Sequence, residues 1–379
     1  MNEILFFYLR TGGGHLAPVR ALASEMQTRH PDRVEPVLLD GMKGARGFAR
    51  FIIEDGYRIT QARANWIYEM AYAFAKFPPG TLANSALVSR VLRGGLEQQL
   101  FEHRPKAIVI AHFFLIAPLL DLLRKHRLDI PTVTIVTDPY TAHPLWFLRK
   151  EQTMVVFSDR VKETAVRLGL PADRVHVFPF ILNPHFSPEN VALRVAQTRA
   201  ALGFPPDQKV VLLLGGGDGM PRGYRITRKI MGEFPEAGVV LVCGKNKNLF
   251  RMASRLVTRA EGKNLRVFAY VDNVPDLIGV SDAVLTKGGA STLMEILALG
   301  KTPVVTTYIW EQEKGNVEFV VKEHRGVYEK RIGKLPEILG GIFNDSPPFR
   351  LIRETNQRSP IRSGTREVSD FIMKQGGLL

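Results

Sequence analysis

Short apolar, β-branched runs alternate along the chain with longer segments of helical periodicity, the pattern of parallel strands joined by crossover helices. The predicted strands are Ile4–Tyr8, Val34–Leu39, Ala107–Ala111, Thr132–Thr137, Met154–Phe157 and Val175–Phe178. After Pro184 comes a second series: Val210–Leu214, Val239–Cys243, Leu265–Ala269, Ala283–Thr286, Pro303–Thr306 and Gly326–Tyr328. Each series reads as an open, doubly wound sheet. The stretch Asn183-Pro184-His185-Phe186-Ser187-Pro188 between them carries two prolines and reads as a hinge. The fold class is therefore α/β, with two Rossmann-like doubly wound domains expected to face each other across a cleft. Their expected bounds are 1–183 and 184–355. The remaining tail, 356–379, contains a helical segment at Thr365–Lys374 that is expected to pack back on the first domain.

One region breaks the alternation. No strand is evident between Gly41 and Pro105, where Lys43, Arg46, Arg50, Arg58 and Arg63 stand against Glu54 and Asp55. A helix candidate without a polar face, Trp66–Phe77, follows. Basic and aromatic residues together read as an interfacial membrane contact; a buried helix of the first domain is the other reading, and the pattern alone does not choose.

At 379 residues the chain suits two domains, and 45% hydrophobic with 23% charged residues is ordinary globular composition. No apolar run reaches the roughly 20 residues that span a bilayer, and the first residues lack the basic and small-residue marks of a secretory signal, so a cytoplasmic protein is expected. The single cysteine, Cys243, excludes an internal disulfide and a cysteine metal cluster. The net charge of +14 favours an anionic partner: nucleic acid, anionic lipid or an anionic substrate. No zinc-finger spacing or aromatic RNA-binding signature supports nucleic acid.

The first strand leads into Thr11-Gly12-Gly13-Gly14-His15, and a helical pattern begins at once. Glycines at a strand-to-helix turn let backbone N–H groups approach a ligand, and the helix N-terminus adds partial positive charge. His15, at the carboxyl edge of a sheet, is either structural or catalytic. The second series opens in the same way, with Gly215-Gly216-Gly217-Asp218-Gly219 after Val210–Leu214. In Lys287-Gly288-Gly289-Ala290-Ser291-Thr292-Leu293-Met294-Glu295, small residues precede a helix. Its N-terminus with the Ser291 and Thr292 hydroxyls suits a diphosphate, and Glu295, one turn on, suits ribose hydroxyls. The carboxylates and amides of Trp310–Asn316 suit a neutral polyol.

These motifs resemble glycosyltransferase family 28, with its two-domain GT-B fold, and within it the monogalactosyldiacylglycerol synthases and bacterial diacylglycerol glucosyltransferases. The resemblance extends over nearly all of residues 1–330. It rests on TGGGH at Thr11–His15, VTDPYTAHPLWF at Val136–Phe147, LLLGGGDGM from Leu212, KGGASTLMEILALGKTPVV at Lys287–Val305 and WEQEKGN at Trp310–Asn316. It implies donor contacts from Gly216, Gly217, Ser291, Thr292 and Glu295, uracil contacts from the Val271 backbone, and hexose contacts from Gln312, Glu313 and Asn316. On the acceptor side it implies Gly13, Gly14, His112, His143 and Trp146. The chain departs from the family at Phe178-Pro179-Phe180-Ile181, where a Gly-Ile-Pro-like turn is expected, and at Ala290-Ser291, where relatives often carry Gly-Pro.

The implied reaction is inverting transfer of a hexose from a UDP-sugar to diacylglycerol or a related glycolipid at an anionic membrane surface, on the inner face of the cell membrane. His15 is the expected general base, and Asp138, in Thr137-Asp138-Pro139-Tyr140, the alternative base or the group that orients the acceptor. With no Asp-x-Asp pair in the chain, no metal is expected on the diphosphate, and no other cofactor. The rival readings are an N-acetylglucosaminyltransferase with an undecaprenyl-linked acceptor, a UDP-sugar epimerase of the same fold and a non-catalytic UDP-sugar sensor.

Overall fold

A computed structural model describes residues 1–10, 13–44, 78–258 and 263–379. The basic and aromatic segment from Ala45 to Phe77, including the helix candidate Trp66–Phe77, lies outside the described residues. The chain divides into two compact units, Met1–Asn183 with Ser363–Leu379, and Pro184–Arg362.

Unit 1 is built on strands β1 (Asn2–Tyr8), β2 (Val34–Asp40), β3 (Pro105–Ile110), β4 (Thr132–Ile135), β5 (Thr153–Val156) and β6 (Val175–Val177). They form one sheet in the order β2-β1-β3-β4-β5-β6, and every pairing is parallel. Helices cover the central strands on both faces, so those strands read as unbroken apolar runs rather than as an alternation: Ile4–Leu9 and Ala107–Ala111 are buried throughout. The helices are α1 (Gly13–Arg29), α2 (Pro78–Phe101), α3 (Phe113–Lys125) and α4 (Asp159–Arg167). At the start of α4 the Ser158 hydroxyl accepts from the Val161 amide at 3.3 Å, a side-chain N-cap.

The C-terminal helix, Thr365–Gln375, also belongs to unit 1. Thr365 Oγ1 donates to the Leu182 carbonyl at 2.7 Å and accepts from the Leu182 amide at 3.0 Å, while Arg29 of α1 pairs with Asp370 at 2.6 Å. Gly364 leads into this helix with its amide on the Phe180 carbonyl, and a side chain there would collide with the Pro179 carbonyl. This accounts for the departure at Phe178–Ile181: Phe180, Ile181 and Leu182 are buried, and the strip is the seat of the C-terminal segment. The return begins at Ser363, later than the expected 356. The helix Pro347–Arg358 stays with unit 2 because the buried Asn356 amide donates to the carbonyls of Lys301 (3.0 Å) and Arg325 (2.8 Å).

Unit 2 holds β7 (Val210–Leu214), β8 (Gly238–Val242), β9 (Leu265–Phe268), β10 (Ala283–Lys287), β11 (Pro303–Thr307) and β12 (Val327–Tyr328). The sheet is parallel, in the order β12-β11-β10-β7-β8-β9. Its helices run from α5 (Pro188–Ala192) and α6 (Val195–Leu202) through α7 (Gly223–Glu233), α8 (Lys247–Val257) and α9 (Val274–Val280) to α10 (Ala290–Ala298) and α11 (Lys314–Lys322). Two apolar clusters sandwich the sheet, one including Leu213, Ile226, Leu241 and Leu285, the other Leu212, Val240, Ile278 and Ile296. Among the described residues no helix is long and apolar enough to cross a membrane.

Candidate functional site

In unit 1 the chain runs from β1 outward to β2, then returns to β3 on the other side of β1. The loops leaving the carboxyl ends of β1 and β3 therefore diverge and open a crevice, which is where open α/β sheets hold ligands. The loop after β1 enters α1 at Gly13-Gly14-His15, and the loop after β3 enters α3 through Ala111-His112. Gly14 is exposed, with open space among the described residues where a Cβ would stand.

His15 is buried, and its Nδ1 lies 2.9 Å from the Ala111 carbonyl and 2.9 Å from Thr137 Oγ1. A carbonyl can only accept, so Nδ1 carries the proton and Nε2 keeps its lone pair. Nε2 has no hydrogen-bond partner among the described residues. Burial, only partly opposed by the Ala111 bond, depresses the imidazole to about 4, so the ring is neutral at physiological pH. His112 and His143 have the opposite tautomer, because each accepts through Nδ1: from the Phe114 amide at 3.2 Å and from the Leu145 amide at 3.1 Å. Both cap helical turns, and burial holds the His112 ring well below its ordinary value.

These rings meet. The His15 and His112 centroids are 4.5 Å apart, His15 and Trp146 6.3 Å, Phe113 and His143 5.7 Å, and Phe113 and Trp146 5.5 Å. Trp146, expected on the acceptor wall, is fully buried, and its Nε1–H donates to Asp138 Oδ2 at 2.9 Å. The turn that carries Trp146 is fixed in turn by buried Gln152, whose amide donates to the carbonyls of Trp146 (2.8 Å) and Arg149 (2.9 Å) and accepts from Thr134 Oγ1 at 2.6 Å. The roles of Thr137 and Gln152 go unnoticed in the sequence. Thr137 sits inside the VTDP motif, a usable signal, but Gln152 stands in none.

Unit 2 reverses between β7 and β10. The turn after β7, Gly215–Gly219, packs its backbone on the loop after β8: the Gly217 carbonyl accepts from the Lys245 amide at 2.8 Å, and Gly219, at φ +75°, has no room for a side chain beside the Cys243 carbonyl. Across the reversal, the register of β10 on β11 shifts between Thr286 and Lys287. Such irregularities re-aim side chains, and Lys287 Cε comes 3.8 Å from the Cβ position of Gly216 and 3.6 Å from that of Gly289. Its ammonium stands 3.7 Å from Glu313 Oε1. In the sequence Lys287 opens a motif and carries no mark of a role of its own.

Helix α10 starts directly after Gly289. Ser291 Oγ is buried without a hydrogen-bond partner, Thr292 is half-buried, and the Glu295 carboxyl, one turn on from Ser291, has no side-chain partner among the described residues. Desolvation pushes Glu295 up to about 7. Glu313 and Asn316, expected to meet a hexose, are both buried and engaged with protein. Glu313 Oε2 accepts from the Ile309 amide at 2.8 Å, and Asn316 Nδ2 donates to the Gly288 carbonyl at 3.0 Å, with its Oδ1 unpartnered. Gln312 is half-buried on the same loop. Val271 follows β9, and its backbone makes no hydrogen bond among the described residues. β9 stands three strands from β10, about 14 Å at ~4.8 Å per strand, so a ligand touching both ends must be extended.

Two family models match the chain: monogalactosyldiacylglycerol (MGDG) synthase over residues 15–179, and the glycosyltransferase family 28 C-terminal domain over residues 210–339. The monogalactosyldiacylglycerol synthase 2 of Arabidopsis thaliana is 27% identical over 90% of this chain and 74% of its own length. The probable synthase of Nicotiana tabacum is also 27% identical over 90% of this chain, which spans 64% of that relative. Among solved structures, MurG of Acinetobacter baumannii shares the fold at a TM-score of 0.60, with 15% identity over 99% of this chain and 100% of that one. A parallel six-stranded sheet in each unit, as in such structures, and a family model on each unit identify a UDP-sugar-dependent glycosyltransferase of the GT-B fold, similar to the monogalactosyldiacylglycerol synthases over residues 15–179 and to glycosyltransferase family 28 over residues 210–339.

Proposed function

We propose that this enzyme transfers a hexose, galactose or glucose, from a UDP-sugar to the hydroxyl of diacylglycerol or a related glycolipid at a membrane surface, with inversion at the anomeric carbon. The observation that carries the lipid reading is the MGDG synthase match. It opens on His15 and takes in His112, Asp138, His143 and Trp146 of the ring-lined crevice. Unit 1 on this reading takes the acceptor and unit 2 the donor.

His15 is the general base. Its Nε2 accepts the acceptor's hydroxyl proton while the oxygen bonds to the anomeric carbon, and the electron pair of the breaking C–O bond leaves on the diphosphate. A ring titrating near 4 is a weak base but always available, so proton transfer must accompany attack rather than precede it. Asp138, held by Trp146, orients the acceptor, and Gly13, Gly14, His112 and His143 line its approach. On the donor side the first N–H groups of α10, with Ser291 and Thr292, hold the diphosphate, beside the Gly216-Gly217 turn. Glu295 accepts from ribose, the Val271 backbone meets uracil, and Gln312 contacts the hexose. The unpartnered Ser291 hydroxyl and the uncommitted Glu295 carboxyl support this assignment. The diphosphate is held without a metal.

The protein attaches peripherally to the inner face of the cell membrane, through the basic and aromatic segment from Lys43 to Phe77 and its flanks. Exposed Leu87, Arg90, Arg93 and Phe101 on α2 support such a surface. A matrix of UDP-sugars against diacylglycerol vesicles, undecaprenyl-linked acceptors and no acceptor tests the reading, with products identified by mass spectrometry. Hexosyl-diacylglycerol is the expected product. Transfer only to the undecaprenyl-linked acceptor, or epimerised donor without transfer, would replace the proposal.

A further inference from the structure

Lys287 has a position that its neighbours in sequence do not share. It ends β10 at the reversal of the unit 2 sheet, immediately after a register shift. It stands between the two glycine turns, with Gly216 on one side and Gly289 on the other. Its ammonium is 3.7 Å from a carboxylate, longer than a direct hydrogen bond, and its side chain is 29% exposed, which leaves it open to a ligand. The unpartnered Ser291 hydroxyl lies four residues on, in the first turn of α10.

Glu313 is the partner, and it is tied to Ile309 through both its side chain and its backbone. Oε2 accepts from the Ile309 amide at 2.8 Å, and the Glu313 amide donates to the Ile309 carbonyl at 2.9 Å, so residues 309 and 313 close the neck of a five-residue loop. The loop is held in a tight shape: Glu311 is at φ +63° and the Gln312 amide reaches the Trp310 carbonyl at 2.7 Å. Trp310 at its tip remains 42% exposed. The second oxygen, Oε1, faces Lys287 and lies 3.6 Å from the Cβ position of Gly289. A carboxylate 7% exposed and pinned in this way is fixed by protein through one oxygen and turned toward Lys287 with the other.

We infer that Lys287 is the cation that meets the departing diphosphate, and that Glu313 is a positioning residue: it holds Lys287 beside the two glycine turns and ties it to the Trp310 loop. This rests on unit 2 being the donor side. As the bond from the anomeric carbon to the β-phosphoryl oxygen breaks, its electron pair stays on that oxygen. The Lys287 ammonium turns from Oε1 of Glu313 to the diphosphate and donates a charge-assisted hydrogen bond to it. Nothing is transferred to or from Lys287. Glu313 competes with the diphosphate for Lys287 in the empty enzyme, which keeps the lysine poised and favours release of UDP afterwards.

Calorimetry on the full chain with UDP, UMP and uridine separates the possibilities. The parent should bind UDP more tightly than UMP. Lys287→Met should weaken UDP by about ten- to a hundredfold and leave uridine unchanged, with Lys287→Arg recovering part of the loss and Lys287→Gln serving if the Met variant melts early. Glu313→Gln keeps an acceptor for the Ile309 amide but removes the charge. It should tighten UDP by roughly three- to tenfold, the effect of a nearby like charge on an anion, and this gain should vanish in the Lys287→Met background. If Glu313→Gln leaves UDP binding alone, and a separate titration with UDP-glucose and UDP-galactose shows weakening of those ligands only, Glu313 is a sugar ligand and the inference fails. Equal UDP affinity in the parent and Lys287→Met also overturns it, while the donor reading stands. A parent that binds none of the three ligands overturns the donor reading itself.

Discussion

At the carboxyl edge of unit 1 the crevice between β1 and β3 is walled by rings. His15, His112, Phe113, His143 and Trp146 pack together with their planes mostly tilted, and Nε2 of His15, which has no hydrogen-bond partner among the described residues, belongs to a neutral imidazole. In unit 2 the crevice of the same topology, between β7 and β10, is walled by glycine backbone, an ammonium, an unpartnered hydroxyl and carboxylates. One sheet plan thus supports two electrostatic regimes. Removing water from an imidazole costs charge, and what remains is a base that stays unprotonated for a neutral hydroxyl. Anions need the reverse, close backbone approach and positive charge, which glycine turns, a helix N-terminus and Lys287 provide.

The largest expected effect strikes the ring-lined crevice alone. His15→Ala should lose turnover by about 10²–10⁴-fold, the range for a general base, while UDP affinity by calorimetry stays at the parent value. A parallel loss of UDP binding would end the separation of the two crevices. If Asp138→Asn stops the reaction and His15→Ala barely slows it, the base is Asp138.

Acid should distinguish the crevices next. His15 titrates near 4 in the fold against about 6.5 in an unfolded chain, so the unfolded state binds the proton first. The stability that goes with keeping the ring neutral is whole above pH ~6.5 and is lost progressively as pH falls through about 4. Over that window it amounts to roughly 3 kcal/mol, from about 1.4 kcal/mol per pH unit. Urea titrations from pH 7 to 4 on the parent and His15→Gln should show the parent losing more. The acid limb of kcat/KM should lie below pH 5, and a limb near 6.5 would mean that the base is a solvated histidine instead.

A smaller effect should confine itself to unit 2. Glu295→Ala should weaken UDP by about 1.5–3 kcal/mol, the range for a hydrogen bond to a charged group, with the thermal midpoint unchanged because the carboxyl has no side-chain partner to lose. Since desolvation lifts this group to about 7 and a ribose hydroxyl favours its charged form, uridine binding near pH 7 should release a proton, visible as a dependence of the measured heat on buffer. Unchanged UDP affinity in the variant would remove Glu295 from the donor set.

The smallest expected effect is none at all. Turnover in EDTA should match turnover without it, because protein dipoles and Lys287 carry the diphosphate charge. Full loss, restored by magnesium or manganese, would assign that charge to a metal.

Much of this was legible along the chain. All twelve strands are present within a residue or two of their expected bounds, because a central parallel strand buried on both faces leaves a short, β-branched apolar run bounded by turn residues. The motifs at Thr11–His15 and Lys287–Glu295 point to the two crevices, since a strand followed by glycines and a helix start is a local pattern. Other features had no local mark. The sequence places Trp146 on the acceptor side and Glu313 on the hexose, but does not show that Trp146 is buried on Asp138 or that Glu313 is buried beside Lys287. Burial and hydrogen bonding depend on residues far away in sequence.

What the sequence determined by itself is the fold class and the family resemblance, and it names the candidate groups for the chemistry, because these are written in short-range periodicity and short motifs. The tertiary structure alone decided their states. The tautomer of His15 comes from a carbonyl 96 residues away, its low affinity for protons from a wall of rings brought by other loops, and the pairing of Lys287 with Glu313 from a register shift between two strands. The seat of the C-terminal helix on residues 180–182 closes across more than 180 positions. Each of these is a long-range contact, and a proton's affinity or a side chain's direction is set by the sum of its neighbours in space, which a linear pattern does not contain.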